Sequence, residues 1–214
     1  MKISANLVWH KCTDINDYDG IILPGGFSYG DRLRGGVIAA YSPVMKEIKK
    51  MAKDGCPVLG ICNGFQILVE AGLLPGALLR NSSLKFICKW TNLSVVSRKS
   101  IFTNKLKINT ILKMPIAHNE GRYYIEKNDL LNLYEKNQIV LKYVDEDSKS
   151  TDEANPNGSI DNIAGVCNIE GNVLGLMPHP ERASERILSP FESDDGSLIF
   201  SSMIEYIKRR RSSW

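Results

Sequence analysis

The sequence has 214 residues, of which 43% are hydrophobic, and this length and composition predict a globular protein and exclude disordered and fibrous classes. Its 27 basic and 24 acidic residues nearly balance, so charge gives no argument for binding nucleic acid or membranes. No apolar stretch reaches the roughly 18 residues of a transmembrane helix, and the N-terminal segment lacks a signal-peptide core. We therefore expect a cytoplasmic protein. The five scattered cysteines contain no C-x-x-C pair, which predicts reduced thiols and no zinc site.

The first third of the chain alternates short apolar runs with helical patterns. Strands are predicted at 5–10, 19–23 and 57–61, and each apolar run is short enough for a buried parallel strand. A helix is predicted to begin at Pro43, and a second helix is predicted at 64–71, where Gly72 ends it. Strands that alternate with helices predict an α/β fold with a parallel sheet.

The second half of the chain has strand patterns with little helix between them, which predicts antiparallel strands added to the sheet. A polar segment there predicts a mobile loop, and the chain ends in an amphipathic helix. We find no internal repeat and predict one domain over residues 1–214. The predicted elements are strands at 93–97, 108–114, 123–126 and 139–144, a loop at 145–162, a hairpin within 163–178 and a helix at 196–208.

Cys62 lies between Gly60 and Gly64, at the point where a predicted strand turns into a predicted helix. This G-x-C-x-G pattern is typical of a nucleophile elbow, in which glycines make room beside a nucleophile on a tight turn. A thiol at a helix N-terminus faces unpaired N–H groups, so we expect a lowered pKa for Cys62. The alternative is a buried structural cysteine in a glycine-lined turn.

His179 is flanked by Pro178 and Pro180, and Glu181 follows. The prolines favour an extended chain, in which residues two apart point the same way, so Glu181 is expected beside His179. A carboxylate beside an imidazole fixes its tautomer and stabilises the imidazolium, which is the base and orienting group of a catalytic triad. A surface turn with an incidental charged pair is the alternative.

An acyl-transfer site also needs donors for an oxyanion. The backbone N–H of Asn63, directly after the nucleophile, is one candidate. The glycine-rich turn at 23–31 could supply the other. A phosphate-binding loop is the competing interpretation of that turn, but no Gly-Lys-Ser/Thr sequence ends it.

These motifs together resemble the class I (triad) glutamine amidotransferases. The segments that carry the resemblance are 24–31 (PGGFSYGD), 60–66 (GICNGFQ) and 178–181 (PHPE). Segments 85–88 (KFIC) and 115–118 (PIAH) are similar to the PurQ family, the glutaminase subunits of phosphoribosylformylglycinamidine synthase in purine biosynthesis.

The resemblance implies a role for each matching residue. Cys62 attacks the side-chain amide of glutamine, His179 transfers protons and Glu181 orients His179. Gly26 and Asn63 form the oxyanion hole, and Gln66 helps to hold the substrate. No metal ligand is implied.

The resemblance also implies a fold and partners. The fold is a flavodoxin-like, doubly wound, mostly parallel sheet with added antiparallel strands. Amidation of formylglycinamide ribonucleotide needs ATP, but the sequence shows no phosphate loop and no spare domain to bind it. Ammonia must therefore leave for another subunit. That subunit is the synthetase PurL, often with the small subunit PurS, and it uses ATP and Mg²⁺. No cofactor is implied for this chain itself.

The chain departs from the family at its start. Relatives open with a strand, a Pro-Gly-Ser-Asn-Cys-Asp turn and a helix before the segment that begins here at Leu7, whereas only residues 1–6 stand in that place. We therefore expect a sheet without its usual first strand and helix, with unpaired strands at its centre. The shortened start leaves an inactive binding subunit as one alternative. Independently of it, a glutaminase serving a synthetase of guanylate, cytidylate or anthranilate is the second. The loop at 25–31 argues against the second.

Overall fold

A computed structural model describes residues 3–31 and 33–212. Residues 1, 2, 32, 213 and 214 of the predicted domain lie outside the described part. Within those two ranges the chain forms nine strands and four α-helices. In chain order these are β1 (Ile21–Leu23), α1 (Pro43–Lys53), β2 (Val58–Ile61), α2 (Asn63–Glu70), β3 (Ala77–Leu79), β4 (Ile87–Val95), β5 (Ile111–His118), β6 (Arg122–Tyr124), α3 (Lys127–Glu135), β7 (Ile139–Val144), β8 (Ile163–Cys167), β9 (Val173–Leu176) and α4 (Gly196–Ser212).

Seven of the strands form one mixed sheet in the order β1-β2-β9-β8-β7-β4-β5. Strands β1, β2 and β9 run parallel, and Leu59 on β2 pairs with Ile22 on one side and Leu174 on the other. The remaining neighbours are antiparallel. Strands β3 and β6 form a separate antiparallel pair. The predicted α/β fold, with parallel strands and added antiparallel ones, is confirmed.

The strand predicted at 5–10 is wrong. These residues lie in turns and irregular chain, and Leu7 and Trp9 are exposed, so this apolar run has no sheet face to cover. The expectation of unpaired strands at the sheet centre is also wrong, because every strand from β2 to β4 in the sheet order has two neighbours. Among the described residues the edge strands are instead β1, which pairs with β2, and β5, which pairs with β4.

Both predicted N-terminal helices are confirmed. Helix α1 begins at Pro43 and packs Met45, Ile48 and Met51 into the core on one face. Helix α2 is buried along most of its length and packs against β1, β2 and β9. No helix of the described residues is long and apolar enough to span a lipid bilayer.

Two expectations for the second half need correction. Helix α3 is absent from the sequence predictions. Leu133 is its one buried residue in the described structure, and Leu131 and Tyr134 are exposed, so its apolar residues do not define a clear buried face. The loop at 145–162 is not mobile throughout, because Asn157 and Ser159 are buried and hydrogen-bonded. The hairpin is confirmed as β8 and β9, which are joined by a tight turn at 168–172.

Candidate active site

Cys62 occupies the single-residue turn between β2 and α2, with φ 50° and ψ −104°. A left-handed backbone in a residue other than glycine costs on the order of 1–3 kcal/mol and persists only where the surrounding structure holds it. Gly64 packs so closely that a Cβ atom there would lie 2.0 Å from the Leu23 carbonyl oxygen. A Cβ at Gly60 would lie 2.7 Å from the Gly64 oxygen. The two glycines therefore let strand and helix meet at the cysteine.

The Cys62 thiol is buried, and its Sγ lies 3.7 Å from the carbonyl oxygen of Ala117. Burial raises the pKa of Cys62 to about 12, although the backbone N–H of Asn63 acts in the opposite direction. The expected lowering of this pKa is therefore wrong, because desolvation outweighs the helix N-terminus. The nucleophile is stored as a neutral thiol and needs a base.

His179 supplies a nitrogen that can serve as that base. Its backbone N–H donates to the Pro115 carbonyl oxygen at 2.8 Å, and its Nδ1 lies 2.6 Å from Glu181 Oε1. A carboxylate only accepts hydrogen bonds, so Nδ1 carries the proton and Nε2 presents its lone pair. This Nε2 is buried and has no hydrogen-bond partner among the described residues. The imidazole is therefore oriented on one side and available on the other.

Glu181 reaches His179 by a different local structure from the one predicted. It lies in a short 3₁₀ turn, Pro180–Ala183, that follows His179, rather than in extended chain. Pro180 at the first position of the turn has the fixed φ that a helical turn requires. The turn folds the Glu181 carboxylate back onto the ring, so the predicted proximity is present but the predicted extended backbone is not.

Gly25 lies close to both His179 and Cys62. A Cβ atom at this position would lie 2.8 Å from His179 Cε1 and 3.6 Å from Cys62 Cβ. The glycine-rich loop thus passes beside both side chains, and only a residue without a side chain fits there. Strands β1, β2 and β9 run parallel, so their carboxyl ends bring the loop, the cysteine and the histidine to one edge of the sheet.

The two predicted oxyanion residues are Asn63, at the start of α2, and Gly26, in the glycine-rich loop. Hydrogen bonding from the backbone N–H of Asn63 opposes the rise in the pKa of the Cys62 thiol that burial causes. The Ser28 N–H donates to Asn63 Oδ1 at 3.3 Å, which holds the loop that contains Gly26 beside α2. Gly26 has φ 151°, a value that L side chains rarely adopt. A backbone donor from this loop therefore depends on glycine.

Gln66, the predicted substrate-binding residue, is buried one turn into α2. Its Oε1 accepts a hydrogen bond from Asn63 Nδ2 at 2.7 Å, and its Nε2 donates to the Glu120 carbonyl oxygen at 2.7 Å. The side chain therefore links Asn63, the predicted oxyanion residue, to the chain that follows β5.

Comparison with known proteins identifies the family. The model of the CobB/CobQ-like glutamine amidotransferase domain matches residues 3–207. The chain belongs to this glutamine amidotransferase family. A phosphoribosylformylglycinamidine synthase subunit PurQ from Methanosarcina barkeri is 55% identical over 205 residues, which cover 96% of this chain and 87% of the relative.

Solved structures agree with membership in the amidotransferase family. A chain of the structure of PurLQS from Thermotoga maritima is 47% identical, with a TM-score of 0.77, and the match covers 90% of this chain and 82% of that chain. The glutaminase domain of Trypanosoma brucei CTPS is 16% identical with a TM-score of 0.53, covering 88% of this chain and 72% of that chain. The second likeness shows the fold alone.

The structure of this amidotransferase also contains buried polar residues near the site that the sequence did not indicate as functional. His118 was visible only as part of the PIAH resemblance, and its position at the end of a buried strand was a usable signal. Asn81, Asn157 and the half-buried Glu120 carry no such signal, because each lies in a loop whose burial depends on contacts distant in sequence. No group of three or more His, Cys, Asp or Glu side chains suited to a metal ion occurs within 3–31 and 33–212.

Proposed function

We propose that this chain is the glutaminase subunit of a phosphoribosylformylglycinamidine synthase. The observation that carries the proposal is the arrangement around Gly25, where the Cys62 thiol and the Glu181-oriented imidazole of His179 flank one glycine. High identity to proteins named PurQ supports the choice of synthetase. The substrate is L-glutamine, and the products are glutamate and ammonia.

The first half-reaction forms a thioester. His179 Nε2 takes the thiol proton as Cys62 Sγ bonds to the amide carbon of glutamine, and the carbonyl oxygen becomes an oxyanion. The N–H groups of Asn63 and Gly26 stabilise that oxyanion. When the intermediate collapses, the C–N bond breaks and the imidazolium returns its proton to the leaving nitrogen. Ammonia departs, and the glutamyl group stays on Cys62.

The second half-reaction releases glutamate. His179 Nε2 takes a proton from water as the water oxygen bonds to the thioester carbon, and the same donors hold the second oxyanion. The C–S bond then breaks, and the proton on His179 returns to the sulfur. Glu181 stabilises the imidazolium in both halves while Nδ1 keeps its proton. The neutral resting thiol of Cys62 is thereby restored.

Ammonia is useful only where a synthetase consumes it. We propose that PurL is that synthetase, with PurS as a small bridging subunit, and that ATP and Mg²⁺ bind to the synthetase. Apolar side chains exposed around the glycine-rich loop support docking close to the site, since Phe27 is 64% exposed and its ring faces Phe86 at a centroid distance of 6.4 Å. Five free cysteines support a reducing, cytoplasmic location.

Replacement of Cys62 tests the proposal. Cys62→Ala, assembled with the synthetase subunits, is expected to abolish glutamine-dependent formation of formylglycinamidine ribonucleotide and to leave ammonia-dependent formation intact. Cys88→Ala, which removes an exposed thiol, is the matched control and should retain both activities. Glutamine use by Cys62→Ala would refute the nucleophile. A wild-type chain that binds the synthetase without supporting glutamine use would instead indicate an inactive binding subunit.

A further inference from the structure

Three buried polar side chains form a junction next to the site. Asn81 follows β3, His118 ends β5 and Asn157 lies in the loop between β7 and β8; their exposed fractions are 0%, 2% and 0%. Asn81 Oδ1 lies 3.1 Å from His118 Nδ1, and it accepts a hydrogen bond from the Gly121 N–H at 3.1 Å. Asn157 Nδ2 donates to the Gly121 carbonyl oxygen at 2.8 Å and lies 3.4 Å from His118 Nε2. We call these three residues the amide–imidazole junction.

Hydrogen bonding fixes the protonation of His118. Asn81 Nδ2 donates to the carbonyl oxygens of Lys85 and His118, both at 2.9 Å, so Asn81 Oδ1 is the acceptor and His118 Nδ1 carries the proton. His118 Nε2 then accepts from Asn157. Burial, followed by the nearby His179, lowers the pKa of His118 to about 4. Both ring nitrogens are occupied within the protein, so His118 does not serve as a base for Cys62.

The junction contacts the backbone at His118 and Gly121, within the segment 117–121. Within this segment the Ala117 carbonyl oxygen lies 3.7 Å from Cys62 Sγ, and the Glu120 carbonyl oxygen accepts the hydrogen bond from Gln66. A Cβ at Gly121 would lie 2.3 Å from the His118 ring, so this chain is packed directly on the imidazole. The imidazole thus packs in the same short segment whose carbonyls contact the nucleophile and the predicted substrate-binding residue.

Asn157 is itself held in one orientation. Its Oδ1 accepts hydrogen bonds from the Ser159 N–H at 3.0 Å and the Ser159 hydroxyl at 2.7 Å, which leaves Nδ2 to face Gly121 and His118. The amide is thus oriented before it meets the imidazole. This part of the loop at 145–162 is built around the active-site edge rather than around solvent.

We propose that Asn157 is a positioning residue for glutamine hydrolysis, acting through His118 on the 117–121 segment. The inference rests on the proposed glutaminase function. A misplacement of about 1 Å can cost up to about a hundredfold in rate, so loss of this amide is expected to lower kcat without touching the reacting atoms. A merely structural amide would lower stability and leave kcat unchanged.

A double-mutant cycle on the assembled synthase tests the proposal. Asn157→Ala and His118→Phe are each expected to lower kcat for glutamine hydrolysis by about tenfold, and the double variant to lose no more than the larger single loss, because both changes act through one contact. Asn172→Ala is the matched control. The buried Asn172 Nδ2 donates to the carbonyl oxygens of Ala52 and Cys56, at the amino ends of β2 and β9 and so at the end of the sheet away from Cys62. Asn172→Ala should therefore lower Tm and keep kcat.

Ser159→Ala provides a second variant. It keeps the Asn157 amide but removes the hydroxyl that donates to Asn157 Oδ1 and accepts from the Tyr123 N–H at 3.0 Å, and it should lower kcat in the same direction by a smaller factor. It carries the test if Asn157→Ala does not fold. Unchanged kcat in the folded variants, additive losses in the cycle, or an equal kcat loss in Asn172→Ala would overturn the proposal. Absence of glutamine hydrolysis in the wild-type complex would instead refute the glutaminase function.

Discussion

Gly25 lies directly against the imidazole of His179, where a single added Cβ would come within 2.8 Å of Cε1. The same Cβ would lie 3.4 Å from Nδ1, the ring nitrogen that contacts Glu181 at 2.6 Å, so a ring displaced by the added atom would lose the geometry of that contact. We therefore expect Gly25→Ala to displace the base from Cys62 and lower kcat for glutamine hydrolysis by at least about tenfold. Steady-state assays of the assembled synthase measure this loss.

Gly72→Ala is the control for that change. Gly72 has φ 73° and open space around its Cα, so alanine there strains the backbone by about 1 kcal/mol without meeting a neighbour. Its free energy of unfolding should fall while kcat stays at the wild-type value. If Gly25→Ala behaved like Gly72→Ala, the close packing of the loop on His179 would not matter for the reaction.

The charge of Glu181 is expected to support catalysis beyond orienting the ring. Glu181→Gln keeps an acceptor oxygen for His179 Nδ1 but removes the negative charge that stabilises the imidazolium. The Glu181 side chain is 43% exposed, so solvent screens it, and we expect a kcat loss of about ten- to a hundredfold, less than for a fully buried triad carboxylate. The measurement is kcat against glutamine concentration at constant pH.

Arg182 offers the matched comparison, because its Nε lies 3.7 Å from the same Glu181 oxygen on the solvent side. An exposed ion pair contributes little, so Arg182→Gln should change kcat by no more than about twofold. Equal losses in the two variants would mean that the local surface charge, rather than the His179 contact, sets the rate.

The positions of the nucleophile, the base and its carboxylate could be predicted from the sequence, because residues close in sequence set the local geometry. Gly60 and Gly64 mark the turn at Cys62, and Pro180 fixes the turn that returns Glu181 to His179. The pKa of the Cys62 thiol could not be predicted in this way. It depends on burial beneath β5 and the loops, and the desolvation that results is a property of the folded interior rather than of the helix end.

Elements that depend on distant contacts were predicted less well. The run at 5–10 has strand composition, but pairing requires a neighbour that sequence patterns do not specify, and here it lies outside the sheet. Asn157 shows the reverse case, since a polar, turn-rich segment predicts solvent exposure whereas the side chain is fully buried. Burial of an amide depends on partners such as Gly121, 36 residues away along the chain.

Alkylation tests whether Cys62 is stored as a neutral thiol. With a pKa of about 12, only about one thiol in ten thousand is ionised at pH 8, and the sulfur is also buried. Iodoacetamide at pH 8 should therefore modify exposed Cys88 before Cys62 in the isolated chain, as peptide mass spectrometry would show. Preferential labelling of Cys62 would mean that its thiolate forms without substrate.

The buried thiols also predict an alkaline limit to stability. Burial raises the pKa of Cys167 from 9.0 to about 12, so the folded state holds this proton more tightly than the unfolded chain does. The resulting stabilisation is complete below pH 9 and is lost as the pH rises from 9 towards 12. Each such thiol contributes a slope of about 1.4 kcal/mol per pH unit in that window.

Cys167→Ala should therefore flatten the decline of the free energy of unfolding above pH 9, even though the lost side chain lowers stability at neutral pH. Urea titrations at several pH values between 8 and 11 measure the slope. Val166→Ala, which truncates the neighbouring buried side chain, is the control and should lower stability equally at every pH because it removes no ionisable group. Parallel pH profiles for the wild type and Cys167→Ala would show that the Cys167 thiol is not held neutral by folding.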